Sequence, residues 1–280
     1  MRFSRNPANP FDVLSYFYSP SWSLLYWISV TLRPDARALE SAMRAKGMAL
    51  LLHALDNHLV DGQQTPTHLL LQLRTAAWTR FAAAARRVAP ADSADGVEQR
   101  IDRYFRAIGA EPGDQTLEQY LEQTDSEGLT WIIAPESLAR CVTEESRVAD
   151  SVAASLTGFI RAFRLLDDIH DLVPDAVAGK NTAVRSALPT EERILWDACR
   201  GVSASRAQPR QDLDRCLQAR RILPHLAGRV RTELEHAADH AREAGLDGYA
   251  EMLAEHARPI AELLAVDSSA PSFAHEEQKV

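Results

Sequence analysis

Apolar residues recur at helical spacing along almost the whole chain. Stretches such as "RFAAAARRV" and "LEHAADHAREA" combine this spacing with residues that strongly favour helices. The sequence contains no alternating run of β-branched residues between turn signals, which is the pattern typical of a strand. The pattern therefore predicts an all-α protein.

Proline, glycine and capping residues divide the pattern into about ten helices in a single bundle. Thr65 and Pro66 are expected to be the N-cap and first residue of one of them. The predicted helices cover residues 13–32, 34–61, 66–88, 97–109, 116–133, 135–172, 188–205, 212–246 and 249–265. Residues 1–10 are expected to be a flexible N-terminus, residues 11–265 a single all-α domain, and residues 266–280 a disordered tail.

Composition and charge limit the kinds of molecule that the protein is expected to bind and the compartment in which it is expected to lie. Of the 280 residues, 46% are hydrophobic, which is enough for a sizeable core, and the net charge of −8 argues against a nucleic-acid surface. Cys141, Cys199 and Cys216 lie far apart in the sequence, so reduced thiols are expected. The start of the chain has no signal-peptide pattern, and a cytoplasmic location is expected.

Residues 13–32 carry no charge and are numerous enough to span a bilayer. Pro20 and several serines interrupt this stretch, which favours a packed N-terminal helix instead. Contact of its aromatic side chains with a membrane interface stays open as an alternative.

Four aspartates lie within three turns of an otherwise apolar segment, "LLDDIHDLVPDAVAGKNTAV". Asp167 and Asp171 are four residues apart and Asp168 and Asp171 three apart, so they share a helix face, while Pro174 is expected to end or kink the helix before Asp175. Two carboxylates about 4 Å apart repel each other by about 4 kcal/mol at an effective dielectric of about 20. A hard cation such as Mg²⁺ would relieve this repulsion.

A second acidic group lies upstream in "LLHALDNHLVDGQ", where Asp56, Asn57 and Asp61 end another apolar helix. Metal sites inside helical bundles are built from side chains on facing helices. We therefore predict that the two acidic groups line one cavity from two sides. Lys180, which follows the second group, can act as a point charge on a phosphate.

The segment "AFRLLDDIHDLVPDAVAGKNT" resembles the second aspartate-rich region of the polyprenyl diphosphate synthases. That family shows Phe-Gln-x-x-Asp-Asp-x-x-Asp, followed by Gly-Asp and Gly-Lys. Phe163 and Arg164 stand at the Phe-Gln positions, and Gly179 and Lys180 match the last pair. The segment "DNHLVD" resembles the first aspartate-rich motif of class I isoprenoid and terpene synthases, with Asn57 in place of the second aspartate.

The resemblance implies an isoprenoid synthase-like fold, a helical bundle around a deep central cavity. It also implies a Mg²⁺ site, which Mn²⁺ could fill, and gives catalytic roles to Asp167 and Asp171. Lys180 and Arg164 would bind the substrate diphosphate, although an ion pair with Asp168 is an equal alternative for Arg164. The metal ligands that the resemblance implies are Asp56, Asn57, Asp61, Asp167, Asp168, Asp171 and Asp175.

The implied reaction is the ionisation of an allylic prenyl diphosphate. The chain lacks three features of chain-elongating members: the arginine pair after the first motif, the upstream Gly-Gly-Lys and the central Lys-Thr. These departures favour a terpene cyclase or an unusual prenyltransferase over a prenyl diphosphate chain elongase. A non-catalytic homologue that binds prenyl diphosphates or supports a partner subunit is a third alternative, and a homodimer also stays open.

Overall fold

The structure is a computed structural model that describes residues 19–60, 62, 64–90, 94–109, 113–143, 145–202 and 208–266. Asp61 and the predicted flexible residues 1–10 lie outside the described residues. So does the predicted tail, except for Val266, the last residue of the final helix.

The described residues form thirteen α-helices, one short 3-10 helix at Thr190–Glu192 and no strand, as the sequence pattern predicts. The α-helices are α1 (Ser19–Thr31), α2 (Ala36–Val60), α3 (His68–Val88), α4 (Ala94–Ile108), α5 (Leu117–Glu127), α6 (Leu129–Val142), α7 (Ser146–His170), α8 (Leu172–Ala178), α9 (Ala183–Ala187), α10 (Arg193–Asp197), α11 (Gln208–Ala219), α12 (Ile222–Glu243) and α13 (Asp247–Val266).

Several predicted helices are shorter than the apolar pattern suggests. The segment predicted as one helix over 135–172 is two helices, α6 and α7, and the segment over 212–246 is divided between α11 and α12. The second division occurs where Arg221 adopts a left-handed backbone conformation, with φ of 54°. In the segment predicted as helical over 188–205, the part that the structure describes, up to residue 202, contains only the 3-10 helix and α10.

The start of α3 also differs from the prediction. The N-cap is Thr67, whose hydroxyl accepts a hydrogen bond from the backbone N–H of Leu70 at 3.2 Å, so Thr65 and Pro66 precede the helix. Both threonines are good capping residues, and Thr67 is the one that has the apolar helical pattern directly after it.

The chain divides into two compact units, and the boundaries fall inside α5, α7, α12 and α13. The first unit comprises the described residues of Met1–Ile108, Ser126–Thr157 and Ala237–Leu253. The second comprises those of Gly109–Asp125, Gly158–His236 and Ala254–Val280.

Helix α6 lies at the centre of the first unit, where it contacts α1, α2, α3 and α4. All ten residues from Thr130 to Ala139 are buried. Pro135 lies inside this helix and has no N–H to donate to the carbonyl of Trp131, four residues earlier. The Nζ of Lys46, a fully buried side chain on α2, donates to that carbonyl at 2.9 Å.

The core of the second unit includes Phe159, Leu165, Trp196, Leu213 and Val230, all nearly inaccessible to solvent. Trp196 also holds the chain after α8, because its indole N–H donates to the carbonyl of Lys180 at 3.0 Å. The acidic end of α7 and the following Gly-Lys segment are positioned by this unit.

None of the helices in the described residues has both the length and the apolar character that a bilayer span requires.

Candidate functional site

Asp167, Asp171 and Asp175 follow one another along the α7–α8 boundary at intervals of four residues. The backbone N–H of Asp171 donates to the carbonyl of Asp167 at 2.8 Å, and that of Asp175 donates to the carbonyl of Asp171 at 2.9 Å. The helical hydrogen-bond pattern therefore passes through the break between the two helices and keeps the three acids in helical register.

The expectation that Pro174 takes Asp175 out of the helix was wrong. The break lies at Asp171, and Pro174 occupies the first turn of α8, where the missing N–H costs little. Asp175 lies inside α8 and is 7% exposed.

Asp167 is a partly buried carboxylate, and in the described residues it forms no hydrogen bond or ion pair. Burial, together with the charges of Asp168, Asp171 and Asp175, raises its pKa to about 6 against the opposing effect of Arg164. The four aspartates are thus close enough to disfavour one another's ionisation, as the sequence spacing predicts. A carboxylate in this position is stabilised by an added positive charge.

Asp168 points into the protein and is 2% exposed. Its Oδ2 accepts hydrogen bonds from the Tyr120 hydroxyl and from the backbone N–H of Ala183, both at 2.7 Å. Burial raises the pKa of Asp168, while Arg164 and these two donors lower it. This carboxylate joins three elements, α5, α7 and the start of α9.

Arg164 forms the ion pair with Asp168 that is one of its two predicted roles, and it also contacts Tyr120; its diphosphate-binding role stays a prediction. Its Nε lies 3.6 Å from Oδ1 of Asp168 and donates to the Tyr120 hydroxyl at 2.7 Å. The guanidinium also lies 5.9 Å from the centre of the Tyr120 ring. With 37% of its side chain exposed, Arg164 still presents charge to solvent beside the acidic group.

The remaining acids of this group each contact a basic side chain. His170 Nδ1 lies 2.8 Å from Oδ1 of Asp171, and this hydrogen bond raises the pKa of the imidazole. Lys180 Nζ lies 3.3 Å from Oδ1 of Asp175, whose pKa is nonetheless raised by burial. The side chains of Asp171 and Lys180 are 45% and 42% exposed, so both are within reach of a ligand in solution.

Local backbone chemistry places Lys180 beside this group. Gly179 ends α8 in the left-handed region with φ of 69°, and a Cβ there would come within 2.8 Å of the Arg200 side chain. The N–H of Lys180 then returns to the carbonyl of Asp175 at 3.0 Å. Two features therefore favour glycine at this position: the left-handed backbone conformation and the closeness of the Arg200 side chain.

The first acidic group lies in the other unit and has a different chemistry. The guanidinium of Arg74, on α3, donates to both oxygens of Asp56, with distances of 2.5 and 3.1 Å. The hydroxyl of Tyr104, on α4, donates to Oδ2 at 2.7 Å. The hydrogen bond to Asp56 raises the pKa of Arg74, so the guanidinium is charged at any physiological pH.

Asn57 lies on a different face of α2 from Asp56 and is exposed. Its amide Nδ2 is 3.1 Å from Nε2 of His53. The structure thus does not bring Asn57 to the carboxylate of Asp56, and the other predicted ligand, Asp61, lies outside the described residues.

The two acidic groups fit a divalent cation to different degrees. Asp167 and Asp171 supply carboxylate oxygens of the kind that Mg²⁺ prefers, and Asp167 forms no ion pair within the described residues. Asp56 already has one, because Arg74 occupies both of its oxygens. In the described residues no three histidine, cysteine, aspartate or glutamate side chains converge into a metal site. A metal ion at the second group therefore stays a prediction, in which substrate and water would have to supply the remaining ligands.

Sequence reasoning missed three residues of these groups, namely Arg74, Tyr104 and Tyr120. Arg74 is the first arginine after the first acidic group, and that order is the only signal for its role in the sequence. The two tyrosines are bonded to aspartates 48 residues away, so helical spacing cannot predict their contacts.

Asp56 belongs to the first unit and Asp167 to the second. A cavity shared by the two groups stays a prediction.

No family model and no curated protein matches the chain. Among solved structures, the geranylgeranyl pyrophosphate synthetase from Pyrococcus horikoshii Ot3 is similar, with a TM-score of 0.62 and 13% sequence identity over 87% of this chain and 88% of that one. At this identity the likeness is one of fold. Together with the helical architecture, it shows that the chain has an all-α, isoprenoid synthase-like fold.

Proposed function

We propose that the chain is a Mg²⁺-dependent class I isoprenoid synthase that ionises an allylic prenyl diphosphate. The observation that carries this proposal is the partly buried carboxylate of Asp167. It has no bonded cation in the described residues and lies in helical register with Asp171, while Arg164 and Lys180 flank the group. Carboxylates and basic side chains in this arrangement suit a metal–diphosphate complex, which needs both kinds of contact.

Each residue of the second group has a distinct part in this proposal. Asp167 and Asp171 would hold the ion, which as a Lewis acid neutralises charge developing on the diphosphate leaving group. Lys180 and Arg164 would bind diphosphate oxygens directly, as preorganised positive charges. Lys180 would exchange its contact with Asp175, which is 3.3 Å away, for the diphosphate, and burial already raises the pKa of Asp175.

Asp168 takes a positioning role in this proposal, in place of the metal-ligand role that the resemblance implies. Its Oδ2 accepts from Tyr120 and Ala183, which fixes the start of α9 and the end of α7 against each other. Tyr120 in turn holds Arg164. The pair Asp168 and Tyr120 would thus set the direction of the Arg164 guanidinium.

Two alternatives are each favoured by one observation. The similar solved structure is a geranylgeranyl pyrophosphate synthetase, which favours a prenyl diphosphate chain elongase. The bidentate pairing of Arg74 with Asp56 favours a non-catalytic homologue, because the first acidic group must lose this partner before it can hold an ion.

The test is to incubate the purified chain with geranyl, farnesyl and geranylgeranyl diphosphate, with and without isopentenyl diphosphate, in Mg²⁺ or in chelator. Release of diphosphate from a single substrate in Mg²⁺ supports the proposal. A requirement for isopentenyl diphosphate would favour the elongase. Binding without turnover would favour the non-catalytic homologue.

Full turnover in chelator would contradict the mechanism, because carboxylates without a cation repel a diphosphate. As a matched control, Glu235→Gln removes an exposed carboxylate of the second unit, whose one ion pair within the described residues is with Arg231 on the helix surface at 3.5 Å. It should leave turnover unchanged, whereas Asp167→Asn should abolish it.

A further inference from the structure

Helix α1 presents an apolar stripe to solvent, although one face of this helix is already in the core. Leu24, Leu25 and Ile28 are buried, whereas Trp22, Tyr26 and Val30 are 38%, 58% and 45% exposed. The spacing of four residues places these last three side chains along one face of the helix. No charged residue occurs between Ser19 and Thr31, so the stripe is not interrupted.

Met43 extends this stripe onto α2. The ring of Trp22 lies beside Gly47, at 3.5 Å from the position that a Cβ there would take. The four-residue connection between α1 and α2 and the contact of Trp22 with Gly47 indicate a helical hairpin, in which Met43, one turn before Gly47, is expected near the level of Tyr26. Met43 is 49% exposed. We call Trp22, Tyr26, Val30 and Met43 the hairpin patch.

A group of arginines lies on α2 and α3, and one of them, Arg44, directly follows Met43 in α2. Arg37, Arg44 and Arg87 line one surface pocket, together with Glu40 and Ser41. Glu40 is bound by Arg44 at 2.6 Å, whereas Arg37 and Arg87 form no ion pair with any carboxylate in the described part of the chain. A basic rim of this kind is unexpected on a chain with a net charge of −8.

We propose that the hairpin patch and its arginine rim bind the surface of an anionic lipid membrane. Tryptophan and tyrosine favour the membrane–water interface, because their rings are apolar and their N–H or O–H groups remain hydrated. Arginines beside an apolar face add attraction to anionic headgroups. The patch would lie on the membrane rather than cross it, since none of the described helices is suited to span a bilayer.

The arginine rim is what selects a membrane over a second copy of the chain. The net charge of a second copy is also −8, which by itself would suit the arginines. In a two-fold contact between the two patches, however, the arginines of one copy would face those of the other, and these like charges would repel. An anionic bilayer offers apolar and negatively charged groups together.

The test is flotation of the purified full chain with vesicles, without Mg²⁺ or diphosphate, so that the result does not depend on the proposed activity. We expect binding to vesicles of phosphatidylcholine mixed with phosphatidylglycerol and much weaker binding to phosphatidylcholine alone. Tyr26→Ser with Val30→Ser should lower the partition coefficient at least about tenfold. Arg37→Gln and Arg87→Gln should each lower it roughly fivefold on the anionic vesicles.

A matched control removes exposed leucines elsewhere in the same unit. Leu69 and Leu73 on α3 are 74% and 46% exposed, and Leu69→Ser with Leu73→Ser should leave vesicle binding unchanged. Circular dichroism melting curves would check that each variant is folded. Any of three outcomes would overturn the proposal: equal loss of binding in this control, no binding by the wild type, or full binding by the variant with both Tyr26→Ser and Val30→Ser. So would a wild-type dimer that becomes monomeric in that variant, because it would assign the patch to a second copy.

Discussion

The side-chain amine of Lys46 donates a hydrogen bond of 2.9 Å to the backbone carbonyl of Trp131. In an ordinary helix the N–H four residues later would donate to this carbonyl, but that residue is Pro135. A lysine on α2 therefore compensates for a proline in the interior of α6. The amine also lies 5.2 Å from the Trp131 ring centre, a further favourable contact when it is protonated.

This relationship predicts an energetic coupling between Lys46 and Pro135. Pro135→Ala restores a backbone N–H, so that the amine is no longer needed at the carbonyl. We expect Lys46→Met to lower the free energy of unfolding by about 1 kcal/mol more in the wild type than in the Pro135→Ala background. A double-mutant cycle from urea unfolding measures this difference, and additive effects of the two substitutions would contradict it.

Lys46 also predicts a pH dependence of stability. Complete burial holds its pKa well below the ordinary value of 10.5 in the folded protein, whereas the unfolded chain keeps the ordinary value. Between these two pKa values the unfolded state binds more protons, so the stability that the neutral amine contributes increases with pH and is complete above 10.5. Unfolding curves across this range should show the wild type gaining stability relative to Lys46→Met. A constant difference between the two proteins would show that the pKa of Lys46 is not lowered.

Helix α6 shows which parts of the fold the sequence can predict. Its apolar pattern predicts a buried helix, but the same pattern continues past Val142 and gives no sign that the helix ends there. Pro135 is expected to begin a helix and instead lies within one, because the compensating donor comes from residue 46. Periodicity predicts that a segment is helical and buried, whereas helix ends depend on contacts between distant residues.

The acidic groups show the same limit. Spacing predicts that Asp167 and Asp171 share a helical register, and the backbone hydrogen bonds agree and also extend that register to Asp175, against the prediction from Pro174. Spacing does not predict that Asp168 is turned towards Tyr120, or that Asp56 is bound by Arg74, because both partners lie on other helices. Which carboxylates keep room for a cation is decided by these tertiary contacts.

We predict that Arg74 and a metal ion compete for the carboxylate of Asp56. Arg74→Gln should lower the free energy of unfolding by about 2 kcal/mol, because it leaves a buried carboxylate with only the Tyr104 hydroxyl. Added Mg²⁺ should then raise the melting temperature of the variant more than that of the wild type, since the carboxylate becomes available. Differential scanning fluorimetry with increasing Mg²⁺ measures both effects.

Arg44→Gln is the matched control for this experiment. It removes an arginine from an exposed ion pair with Glu40, and should change stability by less than about 0.5 kcal/mol with no new response to Mg²⁺. If Mg²⁺ stabilises Arg74→Gln no more than the wild type, Asp56 is a structural residue and the first acidic group does not hold a metal ion.

Asp167 and Asp168 are adjacent, yet their substitution should change stability in opposite directions. Asp167→Asn removes a charge that burial and three neighbouring carboxylates disfavour, so without Mg²⁺ the free energy of unfolding at neutral pH should rise. Its turnover should fall at least about 100-fold, on the order of 3 kcal/mol of transition-state stabilisation.

Asp168→Asn should instead lower the free energy of unfolding by about 2 kcal/mol, because an amide cannot accept from both Tyr120 and Ala183 with the same strength. Tyr120→Phe should cause part of the same loss and, by releasing Arg164, weaken diphosphate binding. Chemical unfolding of the three variants without metal, and the rise in melting temperature on adding Mg²⁺ and diphosphate together, separate these roles. If Asp167→Asn destabilises the metal-free protein and keeps the full ligand-induced rise, its carboxylate is a structural group and the proposed metal site is wrong.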